Sequence, residues 1–488
     1  MKLLTFALLS SFMLPTTASA VVQDEIRRFK KCYGILVGEP VMSSDPLFLA
    51  VKNQSKTGTA ACMEIFERGE LQADNQVKRS ASGGHDPLGI KVLRSIQNFH
   101  LGALEVPHYD VDNDGGLEGR TPDMLDFYEH AYHMTYNVLK PGEPYSRLVT
   151  RANTLRAIRN GTRSKHLYNY VLEGSPGQLV DLSFPSLTAD GTPTTPVFVP
   201  VGTLLGIGPM NYSNHAVKGR SYVLNFGYVN SNEIVDVNRH FGAGMIGTQA
   251  YIKANANDVK LRFFDGLDGA TEHLRRWGKH VINDLLCRDL PSLYPDDVTN
   301  DVRPASTIAY RKGVSCMQCH SSMDPLADTI RNIRANTDMV KNVRFLAKVV
   351  PETLAPKLAY PYAPLDAPDY KYSVRPAVGK LRYRSYDGAY VESAELDGLP
   401  DLGDELASQK DFYVCAAKKY YRFLTGISAN LADLSAPGST LVLTPGEAAH
   451  RQKVIELGLS LQQDPNQSVK TMFRKIIESP TFVYPGRM

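Results

Sequence analysis

The chain has 488 residues, 43% of them hydrophobic and 22% charged, and its formal net charge is +3. This is globular composition and excludes a disordered or fibrous chain. The near-neutral balance supplies no basic field for nucleic acid, so no nucleic-acid partner is expected.

At the N-terminus Lys2 precedes an apolar run over residues 3–14, followed by small residues ending in Ala18-Ser19-Ala20. This is the order of an export signal, with removal expected near Ala20. The run is too short to span a bilayer, and no later stretch is apolar for long enough, so no transmembrane segment is expected. The expectation is an exported, periplasmic protein starting near Val21, with several domains.

The predicted fold class is mainly α and multi-domain: helical modules around residues 316–320, whose Cys-x-x-Cys-His spacing is that of a c-type haem segment, with a small β insertion and a β-hairpin. Residues 21–175 form the expected N-terminal helical domain. Apolar positions recur at helical spacing over 25–36, 59–70 and 88–99. Residues 122–139 read as a helix, with Thr121 as cap, Pro122 in the first position and Asp123 in the first turn. Residues 176–235 turn rich in Pro, Thr, Val and Gly and read as a β-rich insertion, with strands at 180–184, 197–199 and 221–229 and an Asp190-Gly191 turn. Residues 236–397 form the expected haem-binding module, with helices at 245–254 and 271–287 and a hairpin over 381–393 around Asp387-Gly388. Residues 398–488 form the C-terminal helical module, with helices at 402–426, 446–462 and 468–479.

Residues 316–320 read Cys-Met-Gln-Cys-His. This C-x-x-C-H spacing is the attachment signature of a c-type haem. Cys316 and Cys319 stand about one helical turn apart, so both reach one edge of the ring, and His320 is placed as the proximal iron ligand. Such haem is attached after export, which agrees with the N-terminal signal. Zinc held with two further ligands, or a redox dithiol, are the competing readings of the pair. The other four cysteines of an exported chain suggest two disulfides. Cys32 pairs with Cys62, close in sequence, and Cys287 pairs with Cys415, the two flanking the haem motif. Four buried thiols are the alternative.

The surroundings of the motif form an ordered series: Arg275-Arg276-Trp277-Gly278-Lys279, Leu285-Leu286-Cys287, Leu290-Pro291, the motif itself, then Met323-Asp324-Pro325-Leu326. With Pro144 to Val149 upstream, and Gly398, Leu402, Phe412, Cys415, Tyr420 to Gly426 and Ile477 to Phe482 downstream, the chain resembles the planctomycete-type cytochrome c proteins. These are exported multi-module proteins built from domains of unknown function. The resemblance spans most of residues 90–488 and is most specific at 275–326 and 398–426. It implies a haem protein and leaves substrate and partner unassigned. Ala327 stands where the family has Gly, and Asp328-Thr329-Ile330-Arg331 replaces its following pattern, so the distal ligand does not carry over.

The sixth iron ligand decides between electron transfer and chemistry on a bound molecule. Met339, Met245 and His240 are the candidates, while Met323 reads as packing. Asp110, Asp112 and Asp114 copy the start of a calcium loop, but Thr121 sits where a bidentate Glu is wanted. A solvated turn is the simpler reading there, and Ca²⁺ the alternative cofactor. Arg331, Arg334, Arg382, Arg384 and Arg422 are candidates for haem propionates or an acidic partner, against a default of solvated surface. His85, His130 and His133 lack a metal-site pattern. The sequence thus favours a mono-haem c-type cytochrome passing single electrons to an unidentified redox partner protein. The alternatives are a haem enzyme with an open distal site and an envelope binding or structural protein with structural haem.

Overall fold

The computed structural model describes residues 20–80, 82–104, 128–152, 155, 157–160, 203–209, 242–248, 251–252, 255, 275–306, 308–331 and 377–486 in full. Backbone alone is described for helix residues 14–19 and for several short strands.

The protein is mainly helical. Its N-terminal part carries α1 (Leu14–Val37), α2 (Pro46–Lys52), α3 (Gly58–Arg68), α4 (Pro87–Ala103), α5 (Glu129–Leu139) and α6 (Arg147–Thr150). Local chemistry fixes the helix starts. Asp45 accepts from the amides of Leu47 and Phe48 ahead of α2, with Pro46 in the first turn. Thr57 does the same for α3 through Ala60, and Asp86 for α4 through Leu88, with Pro87 next. The central part carries α7 (Arg275–Leu286) and α8 (Val314–Asp328), the helix of the C-x-x-C-H motif. The C-terminal part carries α9 (Gly398–Ser408), α10 (Lys410–Thr425), α11 (Pro445–Gln463), α12 (Val469–Glu478) and α13 (Pro480–Val483). Thr444 and Glu447 close a reciprocal cap at the head of α11.

One apolar core joins these parts. It runs from Phe29 and Cys62 through Trp277 and Val281 to Phe412, Tyr420, Phe473 and Phe482. Burial of each large aromatic side chain contributes on the order of 2–3 kcal/mol. α10 lies at the centre: it packs on α7, α11, α12 and α13. Gly458 permits a close crossing of α11 on α10, because a Cβ there would meet Val414 Cα of α10 at 2.5 Å. Among the described residues no helix is long and apolar enough to cross a membrane.

Several expectations shift. Strand Thr154–Arg159 pairs antiparallel with Leu204–Met210, so β structure begins well before residue 176. The segment read as one strand over 221–229 is two, Gly219–Tyr222 against Tyr228–Ser231. The expected helix over 402–426 is α9 and α10, divided at Gln409, whose backbone is extended. The expected helix over 245–254 begins as a 3₁₀ turn, Gly244–Gly247, with helical backbone at Tyr251, Ile252 and Asn255. The 122–139 helix is described from Glu129 onward. The hairpin is present as read: Arg382–Arg384 pairs with Tyr390–Glu392. Gly388 turns it at φ +81°.

Candidate functional site

α8 positions the motif, and its inner face is pinned from several sides. Met317 packs with Leu293 and Val298. Gln318 Nε2 donates to the Leu293 carbonyl at 2.9 Å, and the hydroxyls of Ser322 and Ser292 meet at 2.8 Å. Leu326 and Ala327 are fully buried. Farther along, the Pro325 carbonyl accepts from the Lys380 amide at 3.1 Å. With 317, 318 and 322 turned inward, the helix presents Cys316, which is exposed, and Cys319, which is half-buried. These are the two free thiols of the chain.

The other four cysteines are paired, Cys32 with Cys62 (Cα–Cα 5.9 Å) and Cys287 with Cys415 (Cα–Cα 5.2 Å). The first joins α1 to α3. The second ties the end of α7 to the middle of α10.

His320 is held by a relay of charged and aromatic groups. Its Nδ1 lies 3.2 Å from both carboxylate oxygens of Asp324, one helical turn on. Arg275, at the head of α7, grips that carboxylate, Nε to Oδ1 at 2.6 Å and Nη2 to Oδ2 at 3.2 Å. Arg275 also donates to the Tyr310 hydroxyl at 2.8 Å. The Tyr310 ring stacks on the imidazole at 3.9 Å, inclined by 14°. Burial pushes the Asp324 carboxyl up, but hydrogen bonds from His320 and Arg275 and their charges outweigh it and hold its pKa at about 2. It is therefore an anion at neutral pH.

The side chains fit a covalent haem. The thiols lie one turn apart on the helix. The imidazole is fixed through Nδ1, which leaves Nε2 as its metal-binding nitrogen. Tyr310 covers a face of the ring, whereas a metal bonds in the ring plane, so the stack and the ligation do not compete. His320 opens on a cleft of about 340 Å³, lined also by Tyr310, Met317 and Asp324. Burial raises the Cys319 thiol pKa, and Cys316 raises it further, against a smaller opposing effect of Lys279. That is the wrong direction for a nucleophilic dithiol. Among the described residues no three His, Cys, Asp or Glu side chains converge as a metal ion alone would require. A porphyrin, which spaces its thioether carbons from its iron, needs no such convergence.

The other expected site residues scatter. Met245 is fully buried in the turn that packs on α5 and α6, and the structure does not bring it to the His320 cleft. His240, the Met339 side chain and the Asp110, Asp112, Asp114 loop lie outside the described residues, as does the Arg334 side chain. Arg382 lines the cleft and is paired with Asp301 at 2.8 Å. Arg384 clamps Asp297 and stands 4.2 Å above the Tyr294 ring. Arg331 pairs with Asp328 at 2.7 Å, and Arg422 lines a separate cavity. His85 bonds Gln76 at 2.9 Å, and His130 and His133 are buried on α5.

Sequence reading missed the roles of Arg275, Tyr310 and Asp324. The one signal for them was the i, i+4 spacing of His320 and Asp324 on a helix. No family model matches the chain, and no curated protein or solved structure matches it, so the site stands on its own geometry.

Proposed function

We propose that the protein is an exported mono-haem c-type cytochrome that passes single electrons in the periplasm, built like the planctomycete-type cytochrome c proteins. The observation that carries this reading is the presentation of Cys316 and Cys319 on an otherwise pinned helix, with the His320 imidazole locked at Nδ1 by Asp324 and Arg275. Two cysteine pairs support an oxidising compartment. Bound at these residues, haem would supply a one-electron iron couple.

The chain's own groups do the rest. Asp324, accepting from Nδ1–H, fixes the tautomer and makes the imidazole a stronger donor. Arg275 keeps that carboxylate charged. Tyr310 shields one imidazole face from water. Met339 and His240 remain the candidates for the sixth ligand. Asp110, Asp112 and Asp114 remain a candidate calcium loop.

The test is a pyridine haemochrome spectrum of the denatured chain after expression with periplasmic export. A c-type spectrum that stays with the polypeptide through acid-acetone extraction, and disappears in the Cys316→Ala/Cys319→Ala variant, supports the reading. Absence of haem together with bound zinc would overturn it.

A further inference from the structure

A second cavity, of about 550 Å³, lies between α4, the end of α7 and α10, and shares no lining residue with the His320 cleft. One wall is aromatic: Phe99 of α4 and Phe423 of α10 stack at 4.2 Å, inclined by 26°. Beside this pair α10 presents Lys418 and Arg422, one turn apart. We propose that this cavity binds a small planar organic acid, its aromatic body against Phe99 and Phe423 and its carboxylate between Lys418 and Arg422.

The volume falls in the range of small-molecule pockets and is ample for more than a bare inorganic anion. The charge arrangement gives the sign of the ligand. Two carboxylates line the cavity, and both are engaged. Asp284 accepts from the Tyr251 hydroxyl at 2.8 Å, and Asp289 accepts from Asn283 Nδ2 at 2.7 Å. The third lining cation, Lys419, donates to the Asp284 carbonyl at 2.6 Å. Lys418 and Arg422 have no hydrogen-bonding acceptor for their side chains among the described residues. Burial lowers the Lys418 pKa, Arg288 and Arg422 add to the effect, and Asp289 opposes it. A desolvated ammonium beside two guanidinium groups is relieved by an incoming anion. The half-buried aromatic wall, rather than an apolar side chain of no defined plane, favours a flat ligand.

The inference is independent of haem and is tested on the whole chain. Isothermal titration with 2-naphthoate should show saturable binding, and the uncharged isostere 2-naphthamide should bind about tenfold more weakly. Lys418→Gln and Arg422→Gln should each weaken naphthoate by about five- to tenfold, while Lys475→Gln, at a lysine that does not line the cavity and bonds Ser460 of α11, should leave it unchanged. Thermal melts confirm that the variants fold, and the acid–amide comparison on the unaltered chain decides the question if one does not. Equal binding of acid and amide, no binding of naphthoate at millimolar concentration, or insensitivity to both substitutions would overturn the proposal. Inorganic phosphate binding as tightly as naphthoate would overturn the aromatic part of it.

Discussion

Arg275 and Asp324, 49 residues apart, join α7 to α8 through two hydrogen bonds of 2.6 and 3.2 Å from one guanidinium to both oxygens of one carboxylate. Both side chains are largely buried, at 14% and 20% exposure, so removing one leaves the other without its charged partner, with only His320 beside Asp324 or the Tyr310 hydroxyl beside Arg275. Arg275→Met is expected to cost about 2 kcal/mol in denaturant unfolding, below the range for a fully buried pair. A double-mutant cycle with Asp324→Asn should recover most of that cost as coupling.

Asp324→Asn also bears on the imidazole. If haem is held at His320 as proposed, the carboxylate would make the imidazole a stronger donor and favour the oxidised iron, so the neutral amide should raise the midpoint potential. Potentiometric titration of the two proteins checks this. An unchanged or lowered potential would mean that Asp324 does not tune the ligand.

Reading the chain recovered what short-range patterns encode. Apolar periodicity marks α3, α4, α11 and α12, and Asp387-Gly388 marks the hairpin. The break between α9 and α10 is invisible because Ser408-Gln409-Lys410 holds neither Gly nor Pro. It is stabilised by packing instead, with α9 set on α6 and Gln409 accepting from the Tyr383 hydroxyl at 3.3 Å. The motif at 316–320 is legible because its spacing is short and fixed within five residues. The Arg275–Asp324–Tyr310 relay is not, since its members come from separate elements and only the fold brings them together.

The Cys287–Cys415 bond joins residues 128 positions apart and closes a loop that contains the whole C-x-x-C-H motif. In the chain-entropy account such a closure stabilises the fold by roughly 5 kcal/mol. The unfolding entropy of a chain this long is about 1 kcal/mol per degree, so the Cys287→Ser/Cys415→Ser variant should melt roughly 5 °C lower, read by circular dichroism. A melting point within a degree of the parent's would show that the α7–α10 contact stands without the bond.

His100 is fully buried, its ring nitrogens 2.9 Å from the Thr135 hydroxyl and 3.1 Å from that of Tyr420. Burial, and to a lesser degree Lys419, lowers its pKa to about 3. Between the unfolded value near 6.5 and about 3 the unfolded chain binds a proton that the folded chain refuses. Stability is therefore kept above about pH 6.5 and falls as pH drops, by about 1.4 kcal/mol per unit for this group. Buried His133, shifted the same way, adds to the slope. Urea unfolding from pH 7 to pH 5 should show the decline, and His100→Gln should flatten it in part.

Gly458→Ala tests the crossing of α11 on α10. The new methyl would meet backbone and cannot be accommodated by a rotamer change. A loss of about 2–3 kcal/mol is expected, although alanine is the better helix former. A gain in stability would show that the two helices separate at little cost.

The two ends of the described chain meet. Lys31 of α1 donates to the Phe482 carbonyl at 2.8 Å, and Arg27 donates to the Tyr484 hydroxyl at 2.6 Å. One face of the first helix thus waits for residues made much later. During synthesis α1 has nothing to dock against on that side until some 450 later residues are made. Until then α1 is held only by its early partners, α2, α3 and α4, and by the Cys32–Cys62 bond, so the N-terminal helices can gather before the face that receives Phe482 and Tyr484 is covered.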